Sequence, residues 1–243
     1  MRAWLEQVVD RVFPGMGWRP LYLTATATWL MVLYYHLGGR GEAPRWFVDG
    51  AEQLLGLGIE AFHRHLWSHT VAAALLLLAP LLLCWLGERW TPVELGFGVR
   101  RAGRELLVVL GLWAVMVPLV WAVHDWPAFD RTYPRLAAAA GSARIFLLFE
   151  AFYLVKWVAW EFFFRGFLLF GLGRDLLHRA VLVSTIPFTL MHYGKPALEM
   201  ASAMIAGLVL CFLALRSRSI WPGVLLHWLV AGTMNFFAST WWR

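Results

Sequence analysis

Glu161, Arg165, His192 and His227 are ionisable side chains inside membrane-length apolar sequence. Such groups are costly in lipid, so they face a bundle interior or a wet cavity and commonly mark function. Glu161 and Arg165 are four residues apart, an ion-pair spacing on one helix face. Glu150 lies eleven residues earlier. It returns to that face, because each helical residue advances about 100°. One glutamate and two histidines, able to trade protons and hold water, are the parts of a hydrolytic site. Each also has a plainer use. A Glu–Arg pair locks two helices, and a histidine on a span hydrogen-bonds its neighbour.

The surroundings of each group sharpen both readings. His192 closes a helical run, with Pro187 five residues before it and a turn at Gly194 and Pro196 after it. A proline kink there would aim the imidazole. Glu199 follows the turn. It either returns toward His192 or complements the dipole of the next helix as a first-turn carboxylate. His227 falls about two turns into the last apolar run, and Asn235 two turns further. Ser202 with Ala206, and Ala203 with Gly207, put small residues one turn apart, which reads as helix packing. No HExxH, G-x-S-x-G, P-loop or dinucleotide fingerprint occurs. Two histidines and a glutamate are a known zinc set. Here they come from three separate segments, which argues neither for nor against a metal; no cofactor or metal is expected, and zinc is the lesser alternative.

At these residues the chain resembles the CAAX protease and bacteriocin-processing (CPBP, or Abi) family of intramembrane endopeptidases. Its motifs are EExxxR, FxxxH and a final HxxxN or HxxxB on successive core helices. Glu161–Arg165 matches the ExxxR part, Phe188–His192 matches FxxxH, and His227 matches the last histidine. The resemblance covers about residues 145–240. It implies an activated-water peptidase acting on a membrane-associated peptide or protein, a range that includes prenylated CAAX proteins. Two positions depart from the pattern. Trp160 stands where the family has its first glutamate, the expected base, and Ala231 stands where it has the final asparagine, an oxyanion donor. Glu161 is then the default base, with Glu199 or Glu150 assisting and Asn235 in place of the lost amide.

The elements that must position these groups follow from composition. The chain has 243 residues, 60% hydrophobic and 15% charged, with mean hydropathy +0.62. A charged share near 25% is usual for soluble domains, so this is an integral membrane protein. Spanning helices are expected over about 21–37, 70–86, 106–123, 145–172, 180–192, 197–215 and 220–237. The stretch 46–67 carries Asp49, Glu52 and Glu60 and reads as interfacial or re-entrant, with an eighth span as the alternative. Trp4, Leu5, Val8, Val9, Val12 and Phe13 recur at helical spacing, as on an interfacial amphipathic helix. Cys84 and Cys211 fall in apolar runs and suit small buried or lipid-facing residues rather than a disulfide. The fold class is an all-α polytopic bundle, one domain over 1–243 with a family-like core at 145–240.

The net charge of +6 is no nucleic-acid signature, because the arginines lie mostly in short connections. With the N-terminus cytoplasmic, eleven Lys and Arg fall inside, including Arg100, Arg101 and Arg104, and eight fall outside, including Arg40, Arg135, Lys195 and Arg243. Lys156 and Arg165 lie within the fourth span. That bias favours N-in, and the composition fits a bacterial inner membrane. Two functions besides peptide hydrolysis remain. One is a non-catalytic membrane binding or immunity-type protein. The other is a proton-coupled transporter, which lacks the internal repeat such folds carry.

Overall fold

The computed structural model describes residues 2–12, 14, 15, 17–100 and 102–242. Phe13, Arg101, Arg243 and the side chain of Leu5, which enter the expectations above, lie outside the described residues. Among the described residues the regular structure is entirely helical. The helices are α1 (Arg2–Val12), α2 (Trp18–Tyr34), α3 (Arg45–Leu55), α4 (Glu60–Glu88), α5 (Ala102–Val123), α6 (Ala143–Glu161), α7 (Ala180–Leu190), α8 (Ala197–Ser217) and α9 (Trp221–Phe237).

A helix therefore forms at each expected spanning position. Among the described residues, three stretches are long and apolar enough to cross a membrane: Glu60–Glu88, the one that contains α5 and ends at Val123, and Ala197–Ser217. The expected 46–67 segment is split. Gly56 adopts a left-handed conformation, φ +59°, and ends α3 after 11 residues. A helix that short rises about 16 Å, half a bilayer core. From Glu60 the chain already belongs to α4, a helix of 29 residues. The boundary was hidden because Glu60 and Arg64 look too polar for a span. They pair with each other at 2.7 Å on an exposed face near the helix end.

The core of the bundle is α6. Ser142 caps its start, its hydroxyl accepting from the backbone N–H of Ile145. From Phe162 to Gly171 the helix continues with wider π-type turns. This run, Phe162-Phe163-Phe164-Arg165-Gly166-Phe167-Leu168-Leu169, is fully buried and packs against α7 and α8. A π segment costs hydrogen-bond geometry and recurs at functional sites; here it begins at the residue after Glu161. Aromatic burial holds it. Phe163 and Phe164 stack edge to face at 5.2 Å, and Phe164 meets Phe188 of α7 at 5.4 Å.

The helix α9 lies along α6 and supplies the other wall of the site. Of the small-residue stripe on α8, Ala203 and Gly207 are buried against α7, while Ser202 and Ala206 are exposed. A Cβ at Gly207 would sit 2.8 Å from Thr185 Cγ2 and 3.2 Å from Phe188 Cδ1, so glycine sets the approach of the two helices. Cys84 and Cys211 are free and buried.

Candidate active site

Glu161 ends the α-helical part of α6 and is completely enclosed. Its Oε1 accepts two hydrogen bonds, from Arg165 Nη1 at 3.2 Å and from His227 Nδ1 at 2.8 Å. Its Oε2 has no partner and points at α9, where a Cβ on Gly223 would lie 2.7 Å from it. Only glycine, one turn before His227, lets the carboxylate sit this close. Arg165 is also fully buried. Its Nη2 donates to the Gly207 carbonyl at 3.3 Å, and its guanidinium lies 4.3 Å over the Phe188 ring. That contact adds a cation–π term to the ion pair.

His192 lies two residues beyond the end of α7, in the turn that Gly194 completes with φ +87°. Its Nδ1 lies 2.9 Å from the Phe188 carbonyl. A carbonyl only accepts, so the proton is on Nδ1 and Nε2 carries the lone pair. The same logic holds for His227. A carboxylate oxygen that already accepts from Arg165 also accepts from Nδ1–H, which leaves His227 Nε2 bare. Phe188 packs against both imidazoles, its ring centroid 4.9 Å from His192 and 5.7 Å from His227. His227 is backed on its other side by Trp157 at 3.9 Å.

The structure thus joins Glu161, Arg165 and His227 directly and links His192 to them through Phe188. It does not bring the remaining candidates to this point. Glu150 hydrogen-bonds Asn235 at 2.6 Å, further along the same α6–α9 seam. The Asn235 side-chain Oδ1 accepts from the Arg135 backbone N–H at 2.9 Å. Glu199 accepts from the Tyr133 hydroxyl at 2.9 Å and pairs with Lys195 at 2.5 Å. Burial first, and then the Glu199 charge, hold the Tyr133 phenol well above its ordinary range, so it remains a donor. Glu199 is therefore a helix-start carboxylate, and neither it nor Glu150 fills the space at position 160. Trp160 occupies that space, edge-on to Tyr34 at 5.8 Å. Among the described residues, no three His, Cys, Asp or Glu side chains are placed to share a metal ion.

Beside His192 a cavity of about 270 Å³ is lined by Trp157, Trp160, Lys156, Tyr153, Tyr34 and several residues of the adjoining turns. Glu161 does not line it. Sequence reading missed Gly223 and Trp157. Gly223 had a signal, since it lies four residues before His227 and so on its face; Trp157 had none.

Residues 142–233 match the family described as type II CAAX prenyl endopeptidase Rce1-like. That segment runs from the cap of α6 to the middle of α9 and holds the whole Glu161–Arg165–His192–His227 arrangement. The part of the chain that carries the motifs, less than half of its length, is thus similar to that family. No curated protein and no solved structure matches the chain.

Proposed function

We propose that the protein is a membrane-embedded peptidase of the CAAX endopeptidase type, in which His227, oriented by Glu161, is the proton acceptor. The observation that carries this reading is the 2.8 Å contact from His227 Nδ1 to Glu161 Oε1, with Arg165 on the same oxygen. It has the logic of a base held by a third group. Glu161 fixes the tautomer of His227 and stabilises the imidazolium that forms when Nε2 takes a proton from water. His192, with its own Nε2 bare, accepts the second hydrogen of that water and orients it. The resulting hydroxide attacks the scissile carbonyl. The proton on His227 Nε2 then passes to the leaving amine. Glu161 is fully enclosed and its Oε1 is held by Arg165 and His227, so its role here is positioning His227 rather than meeting water itself.

The substrate is a peptide segment lying at or in the bilayer. The family description makes a prenylated peptide ending in a CAAX sequence the first probe. The chain sits in a cytoplasmic-type membrane with its N-terminus inside. The reaction uses no metal, so a chelator leaves the rate unchanged. The test is cleavage of a farnesylated CAAX peptide by purified protein in liposomes. His192→Ala and His227→Ala should each lower the rate by about 10²–10⁴-fold, the usual range for a positioned acid–base group.

One observation favours a second reading, a binding protein without hydrolysis. Trp160 fills the position of the family's first glutamate, and no carboxylate lines the cavity next to His192. On that reading wild-type protein retains the farnesylated peptide uncut, and neither histidine variant changes its affinity by more than about threefold, since the rings would only pack.

A further inference from the structure

The cavity beside His192 has a charge balance that peptide hydrolysis does not explain. Arg40, Arg135, Lys156 and Lys195 line it, and no Asp or Glu does. Lys195 is compensated by Glu199. Among the described residues, Arg40, Arg135 and Lys156 form no ion pair. Arg40 rests over the Tyr35 ring at 5.0 Å, and Lys156 over Tyr153 at 5.5 Å and Trp160 at 5.8 Å. The indole N–H groups of Trp157 and Trp160, both buried lining residues, have no acceptor. Buried donors without acceptors are costly, and natural interiors rarely keep them unmatched. Here two of them accompany three uncompensated cations around one space. What is missing is a compact group with several acceptor oxygens and negative charge.

We propose that this cavity binds the phosphate of an anionic membrane-lipid headgroup, held by Arg40, Arg135 and Lys156 with the Trp157 and Trp160 indoles as further donors. A phosphate matches the surplus better than a carboxylate does. It offers more acceptor oxygens to a set of five or more donors, and arginine and lysine are the side chains suited to it. A lipid is the favoured source. The site opens where the end of α2, the connection after α5 and the turn after α7 meet, and Arg40 and Tyr193 at its edge are exposed. Basic pockets between membrane helices bind anionic headgroups on the cytoplasmic side; with the N-terminus inside this one faces the outer leaflet, whose lipids carry the same phosphate. This inference does not depend on peptide hydrolysis, although an occupied headgroup site would border His192.

The test uses the full-length protein in a neutral detergent. Thermal melting and native mass spectrometry are followed as phosphatidylglycerol, phosphatidylcholine, inorganic phosphate or a peptide with a free C-terminal carboxylate is added. Phosphatidylglycerol should bind saturably and raise the melting temperature, and phosphatidylcholine should not. Arg40→Gln, Arg135→Gln and Lys156→Gln should each weaken phosphatidylglycerol binding about fivefold, the loss expected per basic residue near anionic lipid. Arg40 and Arg135 are exposed, so those two variants keep the test readable if Lys156→Gln melts early. Equal binding of the two lipids, or unchanged binding by the three variants, would overturn the proposal. So would a response to inorganic phosphate that the lipid does not reproduce, which assigns the site to a free anion. A response only to the peptide carboxylate would overturn it as well.

Discussion

Glu161 and Arg165 illustrate how a buried charge acts through its neighbours. Both are fully enclosed, so each depends on the other and on His227 and the Gly207 carbonyl. Removing one partner of such a pair strands the other, at roughly 3–5 kcal/mol. Glu161→Gln should therefore lower the melting temperature clearly as well as the activity, and differential scanning fluorimetry of the purified variant checks it. An unchanged melting curve would mean that the Arg165 guanidinium finds another counter-charge. The ion-pair spacing was legible in the sequence because four residues bring two side chains together in any helix. That both would meet His227 was not legible, since it depends on how α9 packs on α6. The roles given by default to Glu199 and Asn235 failed to reach the site for a similar reason. Tyr133 and Arg135, in a connection with no periodic pattern, claim those side chains first.

The seam between α6 and α9 works as an element with two rungs. Glu161 meets His227 on one, and Glu150 meets Asn235 on the other. Each glutamate faces a glycine of α9: Gly223 beside Glu161, and Gly232 with its virtual Cβ 3.4 Å from Glu150 Oε2. The Trp228 indole N–H adds a bond to the Glu150 carbonyl at 3.0 Å. Gly223→Ala places a methyl 2.7 Å from Glu161 Oε2 and must push the carboxylate or the helix away. Overpacking of this kind costs roughly 1–3 kcal/mol. The expected result is a lower melting temperature together with loss of cleavage, whereas Gly232→Ala, meeting an ordinary contact, should leave the rate within about twofold. Parallel rate and melting measurements on the two variants distinguish the rungs. On α8, the same reasoning explains why only Ala203 and Gly207 of the small-residue stripe pack inward: spacing marks a stripe, and the neighbour decides which half it covers.

At the scale of the whole molecule, the bundle has two distinct ends. Arg40, Arg135 and Lys195 meet around one cavity, while Glu94, Arg100, Arg174 and Arg218 line a pocket elsewhere. These groups are the ones that alternating spans would put on opposite faces of a bilayer. With the N-terminus inside, Arg104→Cys should react with a membrane-impermeant thiol reagent only from the cytoplasmic side, and Arg131→Cys only from the outside. Cys84 and Cys211 are buried and should give little background. Labelling of both variants from one side would contradict the arrangement. Helix positions were legible throughout the chain from apolar run length. The join at Gly56 to Glu60 was not, because polar residues near a helix end look the same whether they cap a span or interrupt one.

The central claim is that His227, held by Glu161, and His192, held by the Phe188 carbonyl, act on one water. The most direct measurement is the cleavage rate of a farnesylated CAAX peptide in liposomes, comparing wild type with His227→Ala and His192→Ala at matched folded protein. The account predicts cleavage by the wild type and a loss of about 10²–10⁴-fold in each variant. Undiminished cleavage by either histidine variant, or intact peptide after prolonged incubation with folded wild type, would contradict it.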